Sequence, residues 1–137
     1  MQKYRSSFWS FLLLNPVALL QLSSVPLTPH LIFPEPSALM DNGCYSVRNE
    51  MVWVFGWSAI PKATSYHLYV IGANAVNPAI DNPNIKSTDY IERSVGYIAN
   101  QNRMGWRWKV RAMVNGEWSN WSQERVFHVE PLDTDCK

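Results

Sequence analysis

Residues 106–122, WRWKVRAMVNGEWSNWS, constrain the fold more than any other part of this chain. The first half of the stretch alternates a cation with a large apolar residue, and this period of two residues predicts a half-buried β-strand. The cations are Arg107, Lys109 and Arg111, and the apolar residues are Trp106, Trp108 and Val110. Asn115 and Gly116 predict a hairpin turn. The returning chain brings Trp118 and Trp121, whose flat rings we expect between the cationic side chains.

Further strands are predicted at residues 37–40, 51–58, 64–71 and 123–129, with one or two short ones in 87–98. No stretch has the period of an amphipathic helix. The pattern predicts an all-β, antiparallel seven-strand β-sandwich of immunoglobulin-like type. Alternation assigns these residues to the core: Trp53, Phe55, Trp57, Tyr66, Leu68, Trp108, Val110 and Phe127.

The first 24 residues have the layout of a secretory signal, with Lys3 and Arg5 ahead of an apolar run. An uncleaved membrane anchor is the alternative. We therefore expect an exported protein, secreted, periplasmic or attached to the cell envelope. Residues 25–36 form a proline-rich, extended lead-in, residues 37–131 one domain and residues 132–137 a tail.

The charge balance argues against a nucleic-acid partner. The 137 residues carry a formal net charge of +1, and residues 1–24 hold two cations and no carboxylate, so the remainder carries −1. A nucleic-acid surface needs a basic excess, so nucleic acid is not expected as a partner.

The two cysteines, Cys44 and Cys136, are predicted to form a disulfide, as an even number in an exported protein suggests.

Several segments resemble a fibronectin type III domain: Trp57, Ser58 and Ala59 with Pro61, then ATSY at 63–66, WRWKVRA at 106–112 and WSNWS at 118–122. The resemblance covers about residues 34–130. The WSxWS segment also occurs in class I cytokine receptors and in bacterial fibronectin-like modules. In cytokine receptors it forms a stack of cations and indoles, which the resemblance carries onto Arg107, Lys109, Arg111, Trp118 and Trp121. The leucine and tyrosine pair usual before the sixth strand is not clear, because Trp106 stands where the tyrosine would fall.

No catalytic or metal-binding pattern is recognisable in the sequence. The three histidines are dispersed, and no serine, cysteine or glycine-rich segment has the context of a nucleophile or a phosphate loop. We therefore expect neither an enzyme nor a cofactor. Asn120 heads a glycosylation triplet, NWS, which has meaning only in a eukaryotic host.

Two segments are candidates for docking a partner. The irregular stretch 72–86 offers Val76, Ile80 and Ile85, and the lead-in offers Leu31, Ile32 and Phe33. Exposed apolar residues of this size are costly in water, so we expect them to be covered, either by a neighbouring protein or by the domain's own edge.

The sequence thus predicts a non-catalytic, exported binding or assembly module, an accessory component of a cell-surface or envelope protein complex. One alternative is a carbohydrate-binding module that uses Tyr69, Trp118 and Trp121 as platforms for a glycan. The other is a cytokine-receptor-like fragment that binds a protein ligand. Membrane contact is expected only through the N-terminal segment, if that segment is not cleaved.

Overall fold

The computed structural model describes residues 25–44 and 50–132. In these ranges the chain forms β1 (Leu31–Phe33), β2 (Ala38–Met40), β3 (Glu50–Trp57), β4 (Ala63–Ile71), β5 (Ile80–Ile85), β6 (Asp89–Val95), a 3-10 helix (Asn100–Asn102), β7 (Trp106–Val114), β8 (Glu117–Trp118) and β9 (Arg125–Val129). The predicted signal segment, the C-terminal tail and Cys136 lie outside the described residues. No helix in the described part is long and apolar enough to cross a membrane.

The strands form two sheets. One has the order β1-β3-β6, and the other has the order β2-β9-β7-β4-β5 with β8 paired to β7. The predicted all-β sandwich is confirmed, and the described residues form nine strands, of which β1 and β5 were not among the strands predicted from the sequence. Pairing is antiparallel except between β2 and β9, which run parallel.

The core lies between the two sheets and is rich in aromatic rings. All eight residues assigned to it by alternation are buried, with exposures from 0 to 4%. Trp53 meets Trp106 edge-on, with ring centroids 5.0 Å apart, and Trp106 stacks on Phe127 at 5.9 Å. Such ring pairs add about 0.5–1.5 kcal/mol each beyond the area they bury.

The structure corrects two boundaries. The sandwich begins before residue 37, because Leu31–Phe33 pairs with β3. Residues 72–86 are not irregular throughout, since β5 occupies Ile80–Ile85 and pairs with β4. Pro83 is tolerated there because β5 is an edge strand and needs no amide hydrogen on its open side.

Candidate functional site

The WSNWS segment is held against β7 by its two serines. The amide of Ser119 donates to the carbonyl of Ala112 at 2.7 Å, and the Ser119 hydroxyl accepts the Ala112 amide at 2.9 Å. Ser122 repeats the pattern with Val110, at 2.9 and 3.0 Å. Each serine thus forms two hydrogen bonds with a single residue of β7, as a residue of a paired strand would do. The spacing of three residues fits alternate positions of β7 and brings the tryptophans over its outward side chains.

The outer side of the six-stranded sheet carries a stack of rings and cations, which we call the stacked face: Tyr69, Lys109, Arg111, Trp118 and Trp121. The guanidinium carbon of Arg111 lies 4.6 Å from the ring centroid of Trp118 and 4.5 Å from that of Trp121. The ammonium of Lys109 lies 4.9 Å from Trp121 and 5.2 Å from Tyr69. All four distances are within the range of cation–π attraction.

Arg107 is not part of the stacked face, contrary to the sequence prediction. Its guanidinium approaches Glu124 at 3.4 Å, and no cation–π contact of Arg107 occurs in the described residues. Arg107 lies opposite Val126 of β9, beyond the position that Trp121 covers. The same Glu124 carboxylate lies 3.9 Å from the ammonium of Lys109.

His67 fixes the orientation of Arg111, a contact that the sequence did not predict. His67 is 8% exposed, and its ring lies 4.8 Å from that of Trp121. Arg111 donates to His67 Nδ1 through Nε at 3.2 Å and Nη2 at 3.1 Å, while His67 Nε2 donates to Asp81 at 2.5 Å. The bonds from Arg111 require Nδ1 to carry no proton. The guanidinium is therefore held both by rings and by a buried acceptor.

The opposite outer side of the sandwich belongs to the sheet β1-β3-β6, and we call it the open face: Phe33, Val52, Val54, Ile91, Arg93 and Val95. Pairing places Val54 opposite Ile91, and both point away from the core because Phe55 and Trp53 point inward. Val54 is 38% exposed and Ile91 49% exposed.

Phe33 extends the open face across Gly56. A β-carbon at Gly56 would lie 2.2 Å from Cζ of Phe33, so the ring occupies the space above the glycine. Phe33 is nevertheless 40% exposed, and Ile32 beside it is 53% exposed. Leu31 instead packs against the core. The lead-in residues are thus divided between the domain's own core and its surface.

The prediction that Ile80 and Ile85 bind a partner is wrong. Both are 6% exposed and belong to the core. They are five residues apart, so strict alternation would place them on opposite faces, and the register shift in the pairing of β5 with β4 lets both turn inward. Val76, in the turn before β5, is 92% exposed and stays a candidate.

The other predicted sites are placed as follows. Asn120 is exposed, so the glycosylation triplet is accessible. Cys44 is 6% exposed. In the described ranges no group of three or more histidine, cysteine, aspartate or glutamate side chains could hold a metal ion.

No protein-family model matches this chain, and no curated protein matches it. Among solved structures, an Fn3-like protein from Clostridium thermocellum is similar to it, with 22% sequence identity and a TM-score of 0.48. The match covers 80% of this chain and 99% of that chain. The assignment of sites therefore depends on the geometry of this chain itself.

Proposed function

We propose that this protein is a non-catalytic, exported binding module that docks a protein partner of a cell-surface or envelope complex through its open face. The observation that carries the proposal is the row Phe33, Val54 and Ile91 on the outer side of a sheet. Exposed apolar side chains that are adjacent on one face are typical of interaction sites, whereas single ones are normal on any surface.

The contrast between the two outer faces supports this choice. On the stacked face, each of the two cations lies between two rings of the chain itself. On the open face the apolar side chains are bordered by charges, with Asp89 opposite Gly56 and an exposed ion pair between Arg93 and Glu50 at 3.2 Å. An apolar centre with a charged border is the usual anatomy of a protein interface.

Docking is tested with Val54→Thr and Ile91→Thr, which remove apolar surface but keep the β-branched shape that strands favour. In the native host, we expect the double variant to lose co-purification with its complex while its melting temperature stays close to that of the parent. Val126→Thr is the matched control, since Val126 is 37% exposed on β9 and faces the other side of the sandwich.

A photo-crosslinking residue at position 91 identifies the partner directly. We expect a covalent adduct with one protein from position 91 and none from position 126. Equal adducts from both positions, or retained co-purification of the double variant, would contradict docking through the open face. Fractionation of the native host tests export separately, because the protein is expected outside the cytoplasm.

A further inference from the structure

A cleft of about 380 Å³ lies at one end of the sandwich, away from both outer faces. It opens between the turn that follows β4 and the connection from β6 to β7. Its lining residues are Gly72, Ala73, Asn74, Ala75, Tyr97, Ile98, Ala99, Asn102, Met104 and Trp106. The volume is within the range of about 300–1,000 Å³ that is typical of small-molecule sites.

The walls of the cleft are fixed by hydrogen bonds. Asn42 holds Ile98 through two bonds, accepting its amide at 2.8 Å and donating to its carbonyl at 3.1 Å. The indole of Trp106 donates to the carbonyl of Asn102 at 2.7 Å. On the opposite wall the amide of Ala75 donates to the carbonyl of Gly72 at 3.1 Å, which closes a turn. The cleft is therefore preformed.

The chemistry of the lining selects the ligand. None of the ten lining residues carries a formal charge, so an ionic ligand would gain no counter-charge there. Tyr97 is 44% exposed and supplies an aromatic ring at the rim, while Trp106 closes the interior. Asn74 and Asn102 are exposed residues whose side-chain amides can both donate and accept hydrogen bonds.

We propose that this cleft binds an uncharged pyranose sugar. A pyranose ring has an apolar face of C–H groups, which fits an aromatic ring, and a rim of hydroxyls, which fits amides that donate and accept. The proposal places a glycan site in the cleft and not on the stacked face, where a cation of the chain already lies over each indole. It does not depend on docking through the open face, so either proposal can fail alone.

Amide proton and nitrogen chemical shifts of the ¹⁵N-labelled protein, followed during titration, test the proposal. The probes are the methyl pyranosides of glucose, galactose, mannose and N-acetylglucosamine, with methyl glucuronide as the charged comparison. We expect saturable shifts at residues 72–75 and 97–106 with at least one neutral sugar and weaker binding of the glucuronide. An absence of saturable shifts with every neutral sugar, or shifts confined to residues 118–122, would overturn it.

Two variants test the cleft itself. Asn74→Ala removes an exposed amide, and Ala75→Phe fills the cleft from an exposed position. Each is expected to raise the dissociation constant for the sugar by about tenfold or more. Asn120→Ala is the control, since it removes the same side chain from an exposed position beside the stacked face, and its affinity should equal that of the parent. If Ala75→Phe has a lower melting temperature than the parent, the affinity of Asn74→Ala is the deciding measurement. Unchanged affinity in Asn74→Ala contradicts the proposal.

Discussion

The guanidinium carbon of Arg111 lies 4.5 Å from the ring centroid of Trp121, while two of its nitrogens donate to a buried histidine. The cation is thus held in its plane by hydrogen bonds and on its faces by rings. Arginine suits such a position better than lysine, because its planar group stacks and donates in fixed directions.

Arg111→Ala is expected to lower the free energy of unfolding by about 1–2 kcal/mol, because it removes both cation–π contacts and the packing of the side-chain stem. Chemical denaturation measures the change. Arg107→Ala is the matched control, since Arg107 lies on the same strand and its guanidinium forms an ion pair with the exposed carboxylate of Glu124, and the change should alter stability by less than about 1 kcal/mol. Equal losses in the two variants would mean that the rings add nothing.

Gly43→Ala is expected to destabilise the protein by about 3 kcal/mol or more, as steric clashes that backbone must absorb are costly. A β-carbon at Gly43 would lie 1.5 Å from the carbonyl oxygen of Gly96. Gly72→Ala is the comparison, because its nearest contact would be an ordinary 3.6 Å. Thermal unfolding of both variants checks the prediction, and a Gly43→Ala protein that melts like the parent rejects it.

Stability at alkaline pH should depend on Tyr90. Burial, followed by the hydrogen bond and the charge of Glu92, raises the pKa of Tyr90 above its usual value of 10.0. A raised pKa in the folded state stabilises the fold below pH 10.0, and this contribution is lost as the pH rises through the folded-state pKa. Tyr90→Phe should therefore lose less stability than the parent between about pH 8 and about pH 11. Urea midpoints at the two pH values measure it, and parallel losses would contradict it.

Arg125 fastens the first strand. Its guanidinium donates to the carbonyls of Leu31, Ile32 and Pro34 at 3.0, 3.1 and 3.0 Å. Arg125→Ala should cost about 1–3 kcal/mol and speed proteolysis within residues 25–37, because bonds to charged donors are strong and the carbonyls lose them. Arg93→Ala, which removes an exposed ion pair, serves as the control and should leave the proteolysis pattern unchanged.

The disulfide between Cys44 and Cys136 stays a prediction, since Cys136 lies outside the described residues. Such a bridge would close a long loop and stabilise the fold by about 4 kcal/mol in the loop-entropy model. Peptide mapping by mass spectrometry without reduction should recover the two cysteine peptides joined. Alkylation of both thiols in the native, unreduced protein would reject the pairing.

Alternation was enough to predict the long strands, because the large apolar side chains of β3, β4 and β7 occupy every second position. In β4 the alternation of apolar residues holds although Ser65 and His67, on the other side of the strand, are buried as well. The edge strands were harder. β5 contains the polar run between Ile80 and Ile85, and its pairing with β4 includes a register shift. β1 lies among prolines and pairs with β3, where Leu31 is opposite Trp57. The sequence likewise gave no sign of the contact of His67 with both Arg111 and Asp81, since three strands must be assembled before these residues meet.

The hydrogen bonds from Arg125 to β1 also determine when β1 can reach its final position during folding. Arg125 follows Leu31 by 94 residues and is therefore synthesised after it. In the described part of the chain, β2 pairs with β9, at Phe127, His128 and Val129. β1 and β2 therefore cannot form these contacts until Arg125 and the rest of β9 have been synthesised. Contacts so far apart in sequence form slowly. A chain interrupted before β9 would leave the edge of β7 uncovered and β1 unfastened, and such open edges invite pairing with other chains.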